Sequence, residues 1–169
     1  QIADAEAKAE AYEAEIKKGE ENIAYLKKKL AEEIALSKLA AQSGWRNILD
    51  VRFAEGDRYL LANLIYCEAG GESYAGQLAV ASVVANRVNC TYYPNSITGV
   101  IYQANQFSPV ASGKLALVLE NGLATQSCIN AANAAISGGV SGNWLAFYAP
   151  RDINNPPTPG DVIDRQVFY

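Results

Sequence analysis

The chain has 169 residues, no His and a formal net charge of −4. Without an imidazole, Ser-His-Asp and Cys-His hydrolases are excluded, and a catalytic zinc site, which normally uses His, is disfavoured. No basic cluster lies outside the N-terminal third, which argues against nucleic acid as a partner, and no apolar run approaches the ~20 residues of a membrane span.

Charge is distributed unevenly. Residues 1–59 carry ten of the 14 Lys/Arg and 12 of the 18 Asp/Glu. That contrast predicts a charged helical arm over 1–40, a connector over 41–59 and a globular domain over 60–169. A domain of that length buries an adequate core without metal or multiple disulfides. The chemistry left open is that of carboxylates or tyrosines, or none.

Residues 2–36 predict one long amphipathic helix. With Ile2 at heptad position a, the a series is Ile2, Ala9, Ile16, Ile23, Leu30 and the d series is Ala5, Tyr12, Gly19, Leu26, Glu33. This suits a coiled-coil arm, for dimerisation or tethering, although Gly19 and Glu33 interrupt it. A single helix folded back on its own domain fits the same pattern. In the connector, Trp45, Ile48, Leu49, Val51 and Phe53 are too apolar for a free linker and should pack. Asp57 is placed to cap the next helix.

That helix carries Leu60, Leu61, Leu64 and Ile65 at helical spacing. Glu68, seven residues after Leu61 and four after Leu64, continues the same buried face. A carboxyl there lies in apolar surroundings beside the negative end of the helix dipole, and both raise its pKa. A Glu that keeps its proton near neutral pH serves as a general acid. A structural carboxylate bonded to backbone amides would show the same spacing. Gly70 and Gly71 end the helix, and a core helix follows over 74–88, apolar on nearly every side.

Further on, Ser96 should cap a short helix over 97–102. Residues 103–113 have turn composition and predict an exposed loop. Leu115, Leu119 and Leu123 suggest a helix over 114–124, and Ser127 a cap for one over 128–136. Strands are expected at 144–148 and 166–169, around a Pro/Asn-rich loop at 154–160. Glu72 follows the glycine pair; its carboxylate would either contact a ligand or stabilise the N-terminus of the core helix. Arg87 suits a structural salt bridge.

Several blocks, in order, carry a resemblance: YCEAGGESYAGQLAVASVVANRV, YPNSITGVIYQANQFSPVASG, SCINAAN, NWLAFY and VIDRQVFY. Together they resemble the SleB/CwlJ-type cell-wall hydrolases, the catalytic domain of spore cortex-lytic enzymes. The resemblance implies an α+β fold: a small, lysozyme-like, mainly helical domain with a short late sheet, here behind the helical arm. It implies a lytic transglycosylase acting on the glycan strands of peptidoglycan, with Glu68 as the catalytic acid and no cofactor or metal. In such a cleft the amides of Gln106 and Gln103 and the Ser108 hydroxyl suit sugar hydroxyls and N-acetyl groups, and the Phe107 ring suits stacking on a sugar, or the segment is an ordinary packed loop. Tyr148 would steady the developing cation or be a core strand residue, and Glu72 would orient the substrate or cap the next helix. It also implies an extracellular protein of the wall or spore whose signal peptide has been removed. A hydrolytic muramidase, or a non-catalytic assembly protein that binds glycan, are the alternatives. A disulfide between Cys67 and Cys128 would suit an exported protein, with a Cys90–Cys128 bridge or three free thiols as the alternatives. One departure stands out: the closing block has Gln166 where the family usually has His.

Overall fold

The computed structural model describes residues 2–46, 51, 53–154 and 156–169. The chain forms two compact units, Gln1–Leu36 and Ser37–Tyr169. Helix α1 (Ile2–Ala41) is continuous through the predicted arm. Tyr12, Ile16, Ile23 and Leu26, from its heptad positions, are exposed.

In the second unit the helices are α2 (Asp57–Ala69), α3 (Tyr74–Asn89), α4 (Ile97–Ile101), α5 (Ser108–Ala111), α6 (Lys114–Asn121) and α7 (Gln126–Ile136). The strands β1 (Phe147–Tyr148), β2 (Asp161–Ile163) and β3 (Gln166–Phe168) form an antiparallel sheet in the order β1-β3-β2. The mainly helical domain with a short late sheet is thus as expected.

The core lies where α2 and α3 pack on α7. Leu61, Leu64 and Ile65 of α2 and Val80, Val83, Val84 and Val88 of α3 are fully buried, each side chain contributing about 1.5–3 kcal/mol. Opposite them α7 presents Ala131, Ala132 and Ala135, small enough for close helix approach. The sheet closes the other end: Phe168 has no exposure, stacks on Phe147 at 5.5 Å and meets Trp144 at 5.3 Å.

Of the apolar connector residues, Val51 is buried and Phe53 packs on the core, whereas Trp45 stays half exposed and pairs by a single bridge with Cys90. Ile48 and Leu49 lie outside the described residues. Arg46 anchors this segment by donating to the carbonyls of Val88 (2.7 Å), Cys90 (2.6 Å) and Tyr93 (2.8 Å), which caps the end of α3.

Several local expectations change. Asp57 is the first residue of α2 rather than its cap; Gly56, at φ 92°, holds the cap position, and the buried Asp57 carboxylate accepts from the Ala54 N–H (2.5 Å). Ser127 does not cap α7. Thr125 does, and the Ser127 hydroxyl donates to Gln77 Oε1 at 2.6 Å. Ser96 caps α4 as expected. The loop over 103–113 contains α5, with Phe107 and Pro109 buried. The first strand is shorter than 144–148. The Leu145 carbonyl accepts from Arg87 Nε (2.6 Å), and Leu145 N and Ala146 N both donate to the Tyr169 carbonyl (2.9 Å each), so the regular ladder begins only at Phe147. No disulfide forms: the three thiols are free, with Cys90 Sγ donating to the Ala40 carbonyl and Thr125 Oγ1 donating to Cys128 Sγ.

Candidate active site

The apolar stripe of α2 ends on Glu68, one residue before the helix terminates at Ala69. A helix end leaves four carbonyls without intrahelical partners. Here all four are satisfied. Tyr66 O accepts from Gly70 N (3.1 Å) and Ala69 O from Glu72 N (3.0 Å). Cys67 O accepts from Lys114 Nζ (2.9 Å) and Glu68 O from Gln166 Nε2 (3.3 Å). Two side chains from distant segments therefore hold the residue pair at the end of the helix. Gly70 is required for this close turn, since a Cβ there would lie 2.5 Å from the Tyr66 carbonyl oxygen.

The Glu68 side chain is only partly exposed, and among the described residues nothing donates a hydrogen bond to its carboxyl group. A structural carboxylate would be held by backbone amides; this one is not. Burial pushes its pKa up from the ordinary 4.5 to about 7, against the opposing pull of the Lys114 ammonium. The same burial raises the neighbouring Cys67 thiol.

The turn after Glu68 is stapled by the β2–β3 hairpin. Asp164, at φ 52°, lies at the N-terminus of α3 and accepts from Ser73 N (3.0 Å) and Ser73 Oγ (2.7 Å). The Glu72 carboxylate is engaged by Arg165 through Nε (2.8 Å) and Nη2. The negative charge beside the helix end is thus Asp164, and Glu72 anchors the hairpin. Gly76 makes room for Asp164, because a Cβ there would collide with the Asp164 Oδ2.

Gln106 and Phe107 gather on the buried Arg87. Its Nη1 donates to Gln106 Oε1 at 2.9 Å, and its guanidinium lies 5.4 Å from the Phe107 ring centre and 5.1 Å from that of Tyr93. Phe107 is 4% exposed and faces Phe147, so its ring is part of the core rather than a surface for a sugar. Ser108 is exposed. Gln103 keeps a buried Oε1 with no partner among the described residues. The Tyr148 hydroxyl donates to Thr158 O (3.0 Å) and accepts from Thr158 N (3.1 Å), tying the Pro/Asn-rich loop to the sheet. Lys114, Asp164 and Arg165 had no role in the sequence reading. Each acts across more than 45 positions of chain, and no local pattern marks it.

Residues 71–169 match the cell wall hydrolase family, a match that begins just after Glu68. Spore cortex-lytic enzymes are similar in sequence. That of Oceanobacillus iheyensis is 38% identical over 98 residues, covering 58% of this chain and 34% of the relative. That of Bacillus cereus is 37% identical over 98 residues, covering 58% and 36%. The chain thus spans about a third of the length of the curated relatives it matches. Among solved structures, the catalytic domain of the Bacillus cereus SleB protein has a TM-score of 0.60 at 31% identity, covering 75% of this chain and 98% of that one. The catalytic domain of the germination-specific lytic transglycosylase SleB from Bacillus anthracis has a TM-score of 0.56 at 30% identity, covering 69% and 95%. With the family match over more than half its residues and the shared fold, the chain belongs to the cell wall hydrolase family.

Proposed function

We propose that the second unit cleaves the glycan strands of peptidoglycan as a lytic transglycosylase, with Glu68 as both acid and base. The observation that carries this reading is the Glu68 carboxyl, half-sheltered, protonated up to about pH 7 and without a hydrogen-bond partner among the described residues. In the first step Glu68 donates its proton to the glycosidic oxygen as the bond to the sugar's C1 breaks, through an oxocarbenium-like transition state. In the second step the Glu68 carboxylate takes the proton from that sugar's own C6 hydroxyl as the oxygen closes on C1. The product is a 1,6-anhydro end, and Glu68 regains its proton.

A hydrolase would need a second carboxylate to activate water or form an adduct. Among the described residues three acids of the turn and the hairpin are otherwise engaged: Glu72 with Arg165, Asp164 with Ser73, and Asp161 with Trp144 Nε1 at 2.6 Å. That engagement favours the one-carboxylate route, as does the likeness to the Bacillus anthracis domain described as a lytic transglycosylase. Gln103, with its unpartnered amide oxygen, and the exposed Ser108 are the contacts assigned to the substrate. Gln106, Phe107, Glu72 and Tyr148 support the cleft walls. The arm's exposed stripe would pack against another helix, as a dimer or tether, and place the enzyme at the wall or spore.

The test is mass spectrometry of fragments released from purified sacculi. Anhydro-muropeptides from the wild-type chain, and none from Glu68→Gln, are expected. Reducing ends would make the enzyme a muramidase. Release of nothing, with assembly seen by sedimentation, would leave a glycan-binding scaffold.

A further inference from the structure

The mechanism asks two opposite things of one side chain. Glu68 must hold its proton until the glycosidic oxygen takes it, and must then persist as a carboxylate until the C6 hydroxyl arrives. Burial serves the first demand and opposes the second, because an apolar site penalises the charged form. A cation placed against the carboxyl would balance the two.

Five helices pack on α2, namely α3, α4, α5, α6 and α7. Their charged side chains are Arg87 on α3 and Lys114 and Glu120 on α6; α4, α5 and α7 carry none. Their remaining titratable groups are Tyr74 and Cys128. On α2 itself stand Asp57, Arg58, Tyr59, Tyr66 and Cys67. From the hairpin, Asp164 and Arg165 are committed to Ser73 and Glu72. Arg87 is buried on the Leu145 carbonyl and Gln106. Lys114 alone among these cations is fastened to the end of α2. Its ammonium is fixed 2.9 Å from the carbonyl of Cys67, the residue before Glu68. Lys114 starts α6 directly after Gly113, whose φ of 77° turns the chain into the helix.

We propose that Lys114 is a positioning residue for the acid: held on the Cys67 carbonyl, its ammonium stabilises the Glu68 carboxylate left by proton transfer and so makes the base half of the reaction possible. The proposal rests on the transglycosylase reading and assigns a part that reading leaves open. The electrostatic pull of Lys114 on Glu68 runs in the required direction. No co-reactant enters, since the proton given to the leaving oxygen is recovered from the C6 hydroxyl.

The experiment uses the full chain carrying Lys114→Gln, which keeps a donor for the carbonyl but no charge, and Lys114→Arg, which keeps both. The Glu68 carboxyl is titrated directly by carbon NMR, and the pH-rate profile is measured on sacculi. In Lys114→Gln the Glu68 midpoint and the alkaline limb of kcat should both move to higher pH. Its kcat should fall about two- to fivefold with KM nearly constant, the scale of a solvent-screened charge pair. Lys114→Arg should restore the wild-type values. An unmoved Glu68 midpoint in a folded Lys114→Gln chain overturns the proposal, as does an equal effect in Lys114→Arg. Activity surviving in Glu68→Gln would instead remove the reading beneath it, and the NMR midpoint separates the two failures.

Discussion

Replacing Glu68 by Gln should make the protein more stable as it destroys the activity, and the gain should depend on pH. The folded carboxyl keeps its proton up to about pH 7, whereas in the unfolded chain it titrates near its ordinary 4.5. Below that range both states are protonated and burial carries no ionisation penalty. Between about 4.5 and 7 the unfolded state ionises while the folded state does not, so stability falls as pH rises. Above 7 the penalty is constant. At about 1.4 kcal/mol per pH unit, the interval amounts to about 3 kcal/mol, a ceiling because part of the carboxyl reaches solvent. The Gln amide has nearly the same shape and no charge. Thermal unfolding of both chains from pH 4 to pH 8 should show a Tm gain on the order of 5–10 °C at pH 8 that vanishes at pH 4. Removing the proton donor should lower kcat by at least about 100-fold. A gain of equal size at both ends of the pH range would refute the reasoning, as would no gain at pH 8, because neither could arise from ionisation of this group.

Gly76→Ala should destabilise by about 1–3 kcal/mol in denaturant titration, since the new methyl meets Asp164 Oδ2 and forces the hairpin off the α3 N-terminus. Phe168→Ala empties a fully buried ring site between Trp144 and Phe147 and should cost about 3–5 kcal/mol, read as a lower midpoint at unchanged slope. Gln166→Ala removes the donor to the Glu68 carbonyl and should lower kcat more than it changes KM. Gln166→His, which offers a ring N–H at the same place, should recover most of the loss, and a kcat unchanged in Gln166→Ala would show that the contact does not position the acid.

Much of the architecture was legible because it depends on neighbours a few residues apart. The spacing of Leu61, Leu64 and Ile65 marks a buried helix face, and Glu68 four residues on must share it. The unbroken apolar run of α3 identifies a core helix before any partner is known. Cap assignment was less secure, as Asp57 and Ser127 show. Both residue types favour caps, but other partners compete for the side chains: the Ala54 N–H donates to the Asp57 carboxylate, and Gln77 Oε1 accepts from the Ser127 hydroxyl.

The order of blocks alone pointed to the family, and helical periodicity put an acid at the end of an apolar stripe; these rest on local geometry that a linear pattern encodes. Which side chains surround that acid was decided by the tertiary structure. Lys114 reaches the end of α2 across 47 positions, Asp164 reaches Ser73 across 91 and Gln166 reaches Glu68 across 98. Such contacts exist only once α6 and the hairpin have docked. The physical reason is that desolvation and Coulomb terms depend on distance in space, so the proton affinity of Glu68 is a property of the packed domain and not of any stretch of its sequence.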